Sequence, residues 1–180
     1  MIGLRDAHFP ADTSAILQLD TSFSTDTIYV VDLSSTSILL REVERAQPLT
    51  KRFPLDDLKN ENRTWDFAQL AVDDGRVCGF AAASYQEWNR RLILSHLYVD
   101  RPYRNRGIAQ SLVDRIVEYG LRRGALNLWL ETSNLNVPGV RAYRRMGFEL
   151  CGADTTLYLG TPATNEQALF FSLRIDKSRS

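Results

Sequence analysis

Residues 92–124 read LILSHLYVDRPYRNRGIAQSLVDRIVEYGLRRG, and the fold is decided here. Leu92 to Val99 is an apolar run of strand length. Ile108, Leu112, Val113, Ile116, Val117 and Leu121 then recur at helical spacing, the stripe of a helix buried on one side, and Gly124 is placed to end it. Between strand and helix lies Arg104-Asn105-Arg106-Gly107-Ile108-Ala109, a basic turn containing glycine. A helix N-terminus offers free backbone N–H groups and a partial positive charge, so a turn whose glycine admits close backbone approach suits a pyrophosphate. Arg101, Arg104 and Arg106 add local charge. The turn lacks the Lys-[Ser/Thr] ending of a Walker loop and has one glycine of a dinucleotide fingerprint, which disfavours an ATPase and a Rossmann dehydrogenase. Alone, Arg-x-x-Gly-x-Ala is short enough to arise by chance, and a glycine easing a turn among solvated arginines explains it equally.

Outward from this stretch, Leu126 to Leu130 alternates like a strand, Val140 to Met146 reads as a short helix stopped by Gly147, and Thr155 to Leu159 and Ala168 to Ile175 read as two closing strands. Upstream, Phe67 to Val72 and Val77 to Ser84 form a strand pair through Asp73-Asp74-Gly75. Asp12 to Leu19 has helical spacing with Asp12, Thr13 and Ser14 as caps; Thr27 to Val31 and Ser37 to Glu44 read as strands. Lys51 to Arg63 is polar, carries Pro54, and reads as a surface loop or short helix. Strands interleaved with helices predict an α/β or α+β sheet flanked by helices on both faces. No repeat or linker divides the chain, so residues 1–180 are expected to be one domain.

Composition narrows the partners. The chain has 22 Lys+Arg against 22 Asp+Glu, so no global positive field holds nucleic acid or an anionic membrane, although arginines cluster from Arg90 to Arg106. Cys78 and Cys151 are far apart, without a CxxC pair, and the chain has 2 histidines. That argues against a disulfide framework and a zinc site, and either cysteine fits as a small buried apolar side chain. No signal-peptide core or apolar run of membrane-spanning length is present, and a cytosolic (cytoplasmic) enzyme without a metal is expected.

Arg104 to Ala109 resembles the acetyl-CoA pyrophosphate loop of the GNAT acetyltransferases, patterned Arg/Gln-x-x-Gly-x-Gly/Ala, and the downstream run Asn136 to Phe148 resembles their Asn…Tyr…Gly-Phe element. Two motifs in the right order are far more specific than one. The likeness extends to the streptothricin (nourseothricin) acetyltransferase branch, through Trp88 to Leu92, Leu128 to Glu131, Tyr143 to Gly152, Phe23 to Thr27, Leu49 to Lys51, Asp154 to Tyr158 and Glu166 to Leu169. It thus covers almost the whole chain and implies a GNAT fold, a mixed central sheet of about seven strands flanked by helices. One departure bears on substrate. Where that branch carries an acidic pair on the strand before the loop, this chain has Ser95-His96, so any hold those carboxylates have on a polycationic antibiotic is absent or moved.

The resemblance implies acetyl transfer from acetyl-CoA, the co-substrate, to an amine. Such a reaction needs near-attack geometry, a base for the ammonium, a donor for the oxyanion and an acid for the departing thiolate. Leu97, Tyr98 and Val99 would present their backbone to pantetheine, with N–H groups near Leu97 or Val99 polarising the thioester carbonyl. Arg104, Asn105, Arg106, Gly107, Ile108 and Ala109 would cradle the pyrophosphate, and Asn136 would bond the pantetheine arm. Tyr143 takes the general-acid role; an aromatic packed on a helix face is the plainer alternative. Glu131, ending its strand, is the base candidate, with a structural hydrogen bond or an exposed ion pair as the alternative, and His96 either serves the proton or points out of the sheet. Glu87, Trp88, His96, Glu131 and Tyr158 are the substrate-side candidates, although Trp88, Trp129 and Phe148 read as core aromatics. Asp26 and Glu42 read as surface acids that the resemblance offers as an entrance for a basic substrate.

The expected partner is a small-molecule primary amine on a cationic compound of the streptothricin type, acetylated as a means of resistance. A protein or peptide N-acetyltransferase and a non-catalytic CoA-binding regulatory domain are the competing classes. Edge strands leave room for a homodimer.

Overall fold

The computed structural model describes residues 1–59 and 63–175. In chain order the elements are β1 (Gly3–Asp6), α1 (Thr13–Ile16), β2 (Ser22–Leu33), β3 (Ile38–Arg52), β4 (Phe67–Asp73), β5 (Arg76–Gln86), β6 (Arg91–Val99), α2 (Ile108–Arg123), β7 (Asn127–Ser133), α3 (Val137–Arg145), β8 (Glu149–Asp154) and β9 (Ala168–Arg174). Seven strands follow the order β1-β4-β5-β6-β7-β9-β8, and β2 and β3 pair as a separate ribbon. This is the expected α/β architecture with a mixed sheet. The chain divides into two compact units, each assembled from separated segments: the first takes Met1–Ser22, Arg52–Leu128 and Arg174 onward, the second Phe23–Lys51 and Trp129–Leu173. Among the described residues no helix is long and apolar enough to cross a membrane.

In the first unit β4, β5 and β6 form an antiparallel ladder with β1 on the far edge. Residues Val77 to Ala83 of β5 are buried one after another, losing the usual alternation because both faces of this central strand are covered. One cover is α2, which packs on β4, β5 and β6. It buries Ile108, Leu112, Val113, Ile116 and Val117 as its spacing requires, with Gly120 inside and Leu121 half-buried. At about 1.5–3 kcal/mol per buried aliphatic side chain, this face outweighs the marginal stability of an isolated helix of such length. Gly124 ends the helix in the left-handed conformation, φ 75°.

The close seat of α2 depends on Gly79. A Cβ there would lie 3.1 Å from Ile108 Cγ2 and from Leu112 Cδ1, and 3.2 Å from Ala71 Cβ. Any Cβ there would press on methyl groups of the first turns of α2, which glycine leaves free to lie close on β5.

Several elements differ from expectation. α1 is one turn rather than the full span Asp12 to Leu19, and Asp12 makes no side-chain cap. Its carboxylate is taken by the Arg5 guanidinium, at 2.7 Å to each oxygen, and by the His8 amide N–H at 2.8 Å. Thr155 to Leu159 is no strand but bend and turn. Asp154 Oδ1 accepts from the amide and hydroxyl of Thr156 and the amide of Leu157, at 2.7, 2.7 and 3.0 Å, and this Asx turn stops β8. Both β1 and β8 escape sequence reading because they lack an apolar alternation. β2 and β3 run longer than their cores suggest. Of Lys51 to Arg63, Lys51 and Arg52 finish β3 and Asp56–Lys59 is a single 3-10 turn; residues 60–62 lie outside the described residues. Cys78 is buried and Cys151 exposed.

Gly79→Val is expected to lower stability by about 1–3 kcal/mol through overpacking against Ile108 and Leu112, read as a shifted urea midpoint at unchanged slope.

Candidate active site

In the first unit the turn between β6 and α2 is shaped by left-handed residues. Asn105 has φ 61° and Gly107 φ 78°, conformations that asparagine and glycine tolerate. The backbone N–H groups of Asn105 through Gln110 find no acceptor among the described residues. They form the kind of N–H concavity that, with the positive end of a 16-residue helix, attracts an anion. A Cβ built on Gly107 would meet nothing within 4 Å, so the protein leaves this space open. The residues fit a pyrophosphate group on backbone grounds.

One side chain behaves otherwise than expected. Arg104, read as added charge for phosphate, donates from Nε to the carbonyl of Val99 at 2.9 Å, from Nη1 to Ser22 at 2.7 Å and from Nη2 to Asp20 at 2.6 Å. Its guanidinium is spent on main chain. Arg101 and Arg106 remain exposed.

Leu97, Tyr98 and Val99 are half-buried and pair with Ala81, Phe80 and Gly79 of β5. Just before them the ladder steps: His96 opposes Ala82 and Leu94 opposes Ala83, leaving Ser95 as a bulge, a device that re-aims the following residues. His96 does not point out of the sheet. It is 7% exposed, ringed by Trp65, Phe80 and Tyr98, and its Nε2 meets Asp57 Oδ2 at 2.7 Å. Burial lowers its pKa, with the Asp57 charge and hydrogen bond opposing. Glu87 and Trp88 stand at the other end of β6 from the turn. They lie in the exposed turn joining β5 to β6, a whole strand of about 26 Å from Val99, and Trp88 is 86% exposed, contrary to the core-aromatic reading.

The second unit gathers the proton-handling groups. Tyr158 donates a short hydrogen bond to Glu131 Oε1. Partial burial holds the Glu131 carboxyl above the ordinary carboxylate range, while the Tyr158 hydrogen bond and Lys51 pull down and Glu166 pushes up. Lys51 ion-pairs Glu166, which also accepts from Ser133 Oγ; Lys51 and Glu166 are 23% and 11% exposed in their side chains. Tyr143 stands on α3 beside Phe148 and Phe171. Burial chiefly, and the Glu131 charge next, push its phenol up to about 12. Asn136 caps α3, accepting from the Gly139 amide at 3.1 Å and donating to Thr132 Oγ1 at 3.0 Å, so its amide serves the helix start first. Glu42 ion-pairs Arg141, which offsets its charge as an acidic entrance.

The sequence profile of the Acetyltransferase (GNAT) family matches residues 34–148. The chain belongs to this family. It is similar to streptothricin acetyltransferase of Streptomyces lavendulae, 41% identical over 175 residues that cover 91% of this chain and 90% of that protein. Its fold superposes on the crystal structure of nourseothricin acetyltransferase with a TM-score of 0.87 at 41% identity, covering 97% of this chain and 99% of that one. A Bacillus anthracis protein solved in complex with acetyl coenzyme A shares the GNAT fold at a TM-score of 0.81 and 22% identity, covering 97% and 99%. The chain is thus an acetyl-CoA-dependent N-acetyltransferase of the GNAT family.

Sequence reasoning did not assign the Lys51–Glu166–Ser133 group, the Asp57 partner of His96, or the Arg104 carbonyl contacts. Separations of 115 residues between Lys51 and Glu166 and 84 between Arg104 and Asp20 leave no periodic signal.

Gly107→Val is expected to abolish acetyl-CoA binding in calorimetry, because its side chain enters the open space and strains φ. Wild-type affinity would remove residues 104–109 from the coenzyme site.

Proposed function

We propose that this enzyme acetylates a primary amine of a small cationic molecule of the streptothricin class, and so confers resistance. The observation that carries the reading is 41% identity along 91% of the chain to an enzyme named for that substrate. Residues 1–180 act as one catalytic domain in this reading, which the interleaving of both units along the chain supports.

Acetyl-CoA supplies an activated thioester. The backbone N–H groups of residues 105–110 hold its pyrophosphate, and β6 from Leu97 to Val99 orients the pantetheine arm. An ammonium must lose a proton before its nitrogen attacks. Glu131 accepts it on Oε2, directly or through one water, while the Tyr158 hydroxyl on Oε1 fixes the carboxylate. Glu131 and Glu166 against Lys51 leave one net negative charge in this group, which favours a cationic acceptor.

Tyr143 serves the departing sulfur. A phenol held near 12 is a weaker acid than an ordinary thiol at about 8.5. It therefore stays protonated throughout the working range and stabilises the thiolate by donating a hydrogen bond, with solvent completing protonation.

Three outcomes follow from this assignment. Tyr143→Phe is expected to lower kcat by about 10- to 100-fold with little change in acetyl-CoA affinity; unchanged turnover would strip Tyr143 of the role. Because the Glu131 pKa is raised, its base form is lost as pH falls through a value above the ordinary 4.5, giving kcat/KM an acid limb that Glu131→Gln should flatten. An unaltered limb in that variant would assign the base elsewhere. Thiol release from acetyl-CoA is expected to be fastest with streptothricin in a panel of aminoglycosides, polyamines, lysine and peptide N-termini. Turnover of peptides without streptothricin would make the enzyme a peptide acetyltransferase.

A further inference from the structure

The Arg104 guanidinium reaches three main-chain carbonyls, those of Val99, Ser22 and Asp20, at 2.6–2.9 Å. The same segment is gripped from its other side. Asp100, 4% exposed, accepts from the Asp20 amide at 3.0 Å, from the Arg101 amide at 3.1 Å and from Arg76 Nη2 at 2.8 Å. Asp20 in turn folds its carboxylate onto the amide and hydroxyl of Ser22 at 2.9 and 2.5 Å. Residues 20–22 and the start of the 100–107 turn are therefore joined by reciprocal donors and acceptors more than 75 positions apart in sequence.

We propose that Arg104 is a positioning residue, which holds the turn's backbone N–H groups in their anion-binding arrangement by clamping the turn to Asp20–Ser22, and that its charge makes no contact with coenzyme phosphate. A guanidinium that donates from Nε, Nη1 and Nη2 to carbonyls has three of its five N–H groups committed to main chain, and those carbonyls fix the plane in which it lies. What the position requires is a multiple donor of the right reach, not a cation. Glutamine, with two amide N–H groups, keeps part of that capacity; lysine keeps the charge but presents a flexible point donor. The inference rests on residues 104–109 being the coenzyme loop.

The experiment measures acetyl-CoA affinity by calorimetry for the wild type, R104Q, R104K, R104M and Gly107→Val, at two salt concentrations, with amide hydrogen exchange at Asp20 and Ser22. R104M is expected to weaken binding by more than about tenfold and to speed exchange at both amides. R104Q should bind more tightly than R104K and keep the wild-type salt dependence, because no ionic contact is lost. If R104M does not fold, the order of R104Q and R104K decides. Wild-type affinity in R104K, with R104Q weak and its salt dependence flattened, would overturn the clamp in favour of a phosphate contact. Lost affinity in Gly107→Val beside wild-type affinity and exchange in R104M would also overturn it while sparing the loop assignment. Wild-type affinity in Gly107→Val would retire the loop assignment and the proposal with it.

Discussion

The close approach of α2 to β5 at Gly79 is the constraint on which the turn between β6 and α2 rests. With methyl groups of Ile108 and Leu112 only 3.1 Å from where a Cβ would stand, the first turns of the helix lie close on the sheet. The free N–H groups of the turn emerge at the start of that helix. Backbone recognition of an anion demands such rigidity, because an N–H dipole loses its advantage over water once its direction wanders. The buried aliphatic stripe of α2 and the paired edge of β6 supply the stiffness.

Around the turn between β6 and α2, charged groups are held largely by main chain: Arg104 on three carbonyls, Asp100 on two amides and one guanidinium. Their work is geometric. The second unit gathers Glu131, Tyr158, Lys51, Glu166 and Ser133 side chain to side chain, and the Glu131 carboxyl feels the Tyr158 hydrogen bond and the charges of Lys51 and Glu166. A substitution at Glu166 or Lys51 is therefore felt at Glu131.

Much of this was legible in the sequence. The helical stripe of α2, its end at Gly124, the Asp74-Gly75 hairpin and the strands β4 to β6 follow from periodicity and turn chemistry, since local packing on a buried face is what writes a period. The left-handed glycine of the turn before α2 and the placing of Tyr143 on α3 were legible through motif spacing. Side-chain destinations were not. Nothing in the sequence around His96 says that its ring turns inward to Trp65 and Asp57, or that Trp88 stays in solvent. Asp12 looks like a helix cap until Arg5 takes both of its oxygens, and Thr155 to Leu159 looks like a strand until Asp154 ties the turn. For Asp12 and for Thr155 to Leu159 a competing polar partner, distant or adjacent, overrides local propensity.

The left-handed turn has a consequence for how such an enzyme can change. Under the function proposed above, recognition of coenzyme is written in main-chain conformation, to which most side chains are indifferent, whereas the groups proposed to choose an acceptor are side chains carried on β7, on the end of β3 and after β8. Mutation can therefore explore new acceptors by altering those side chains one at a time, while the coenzyme half stays fixed by a handful of backbone angles. A lineage built this way would diversify in what it acetylates long before it could change what it acetylates with.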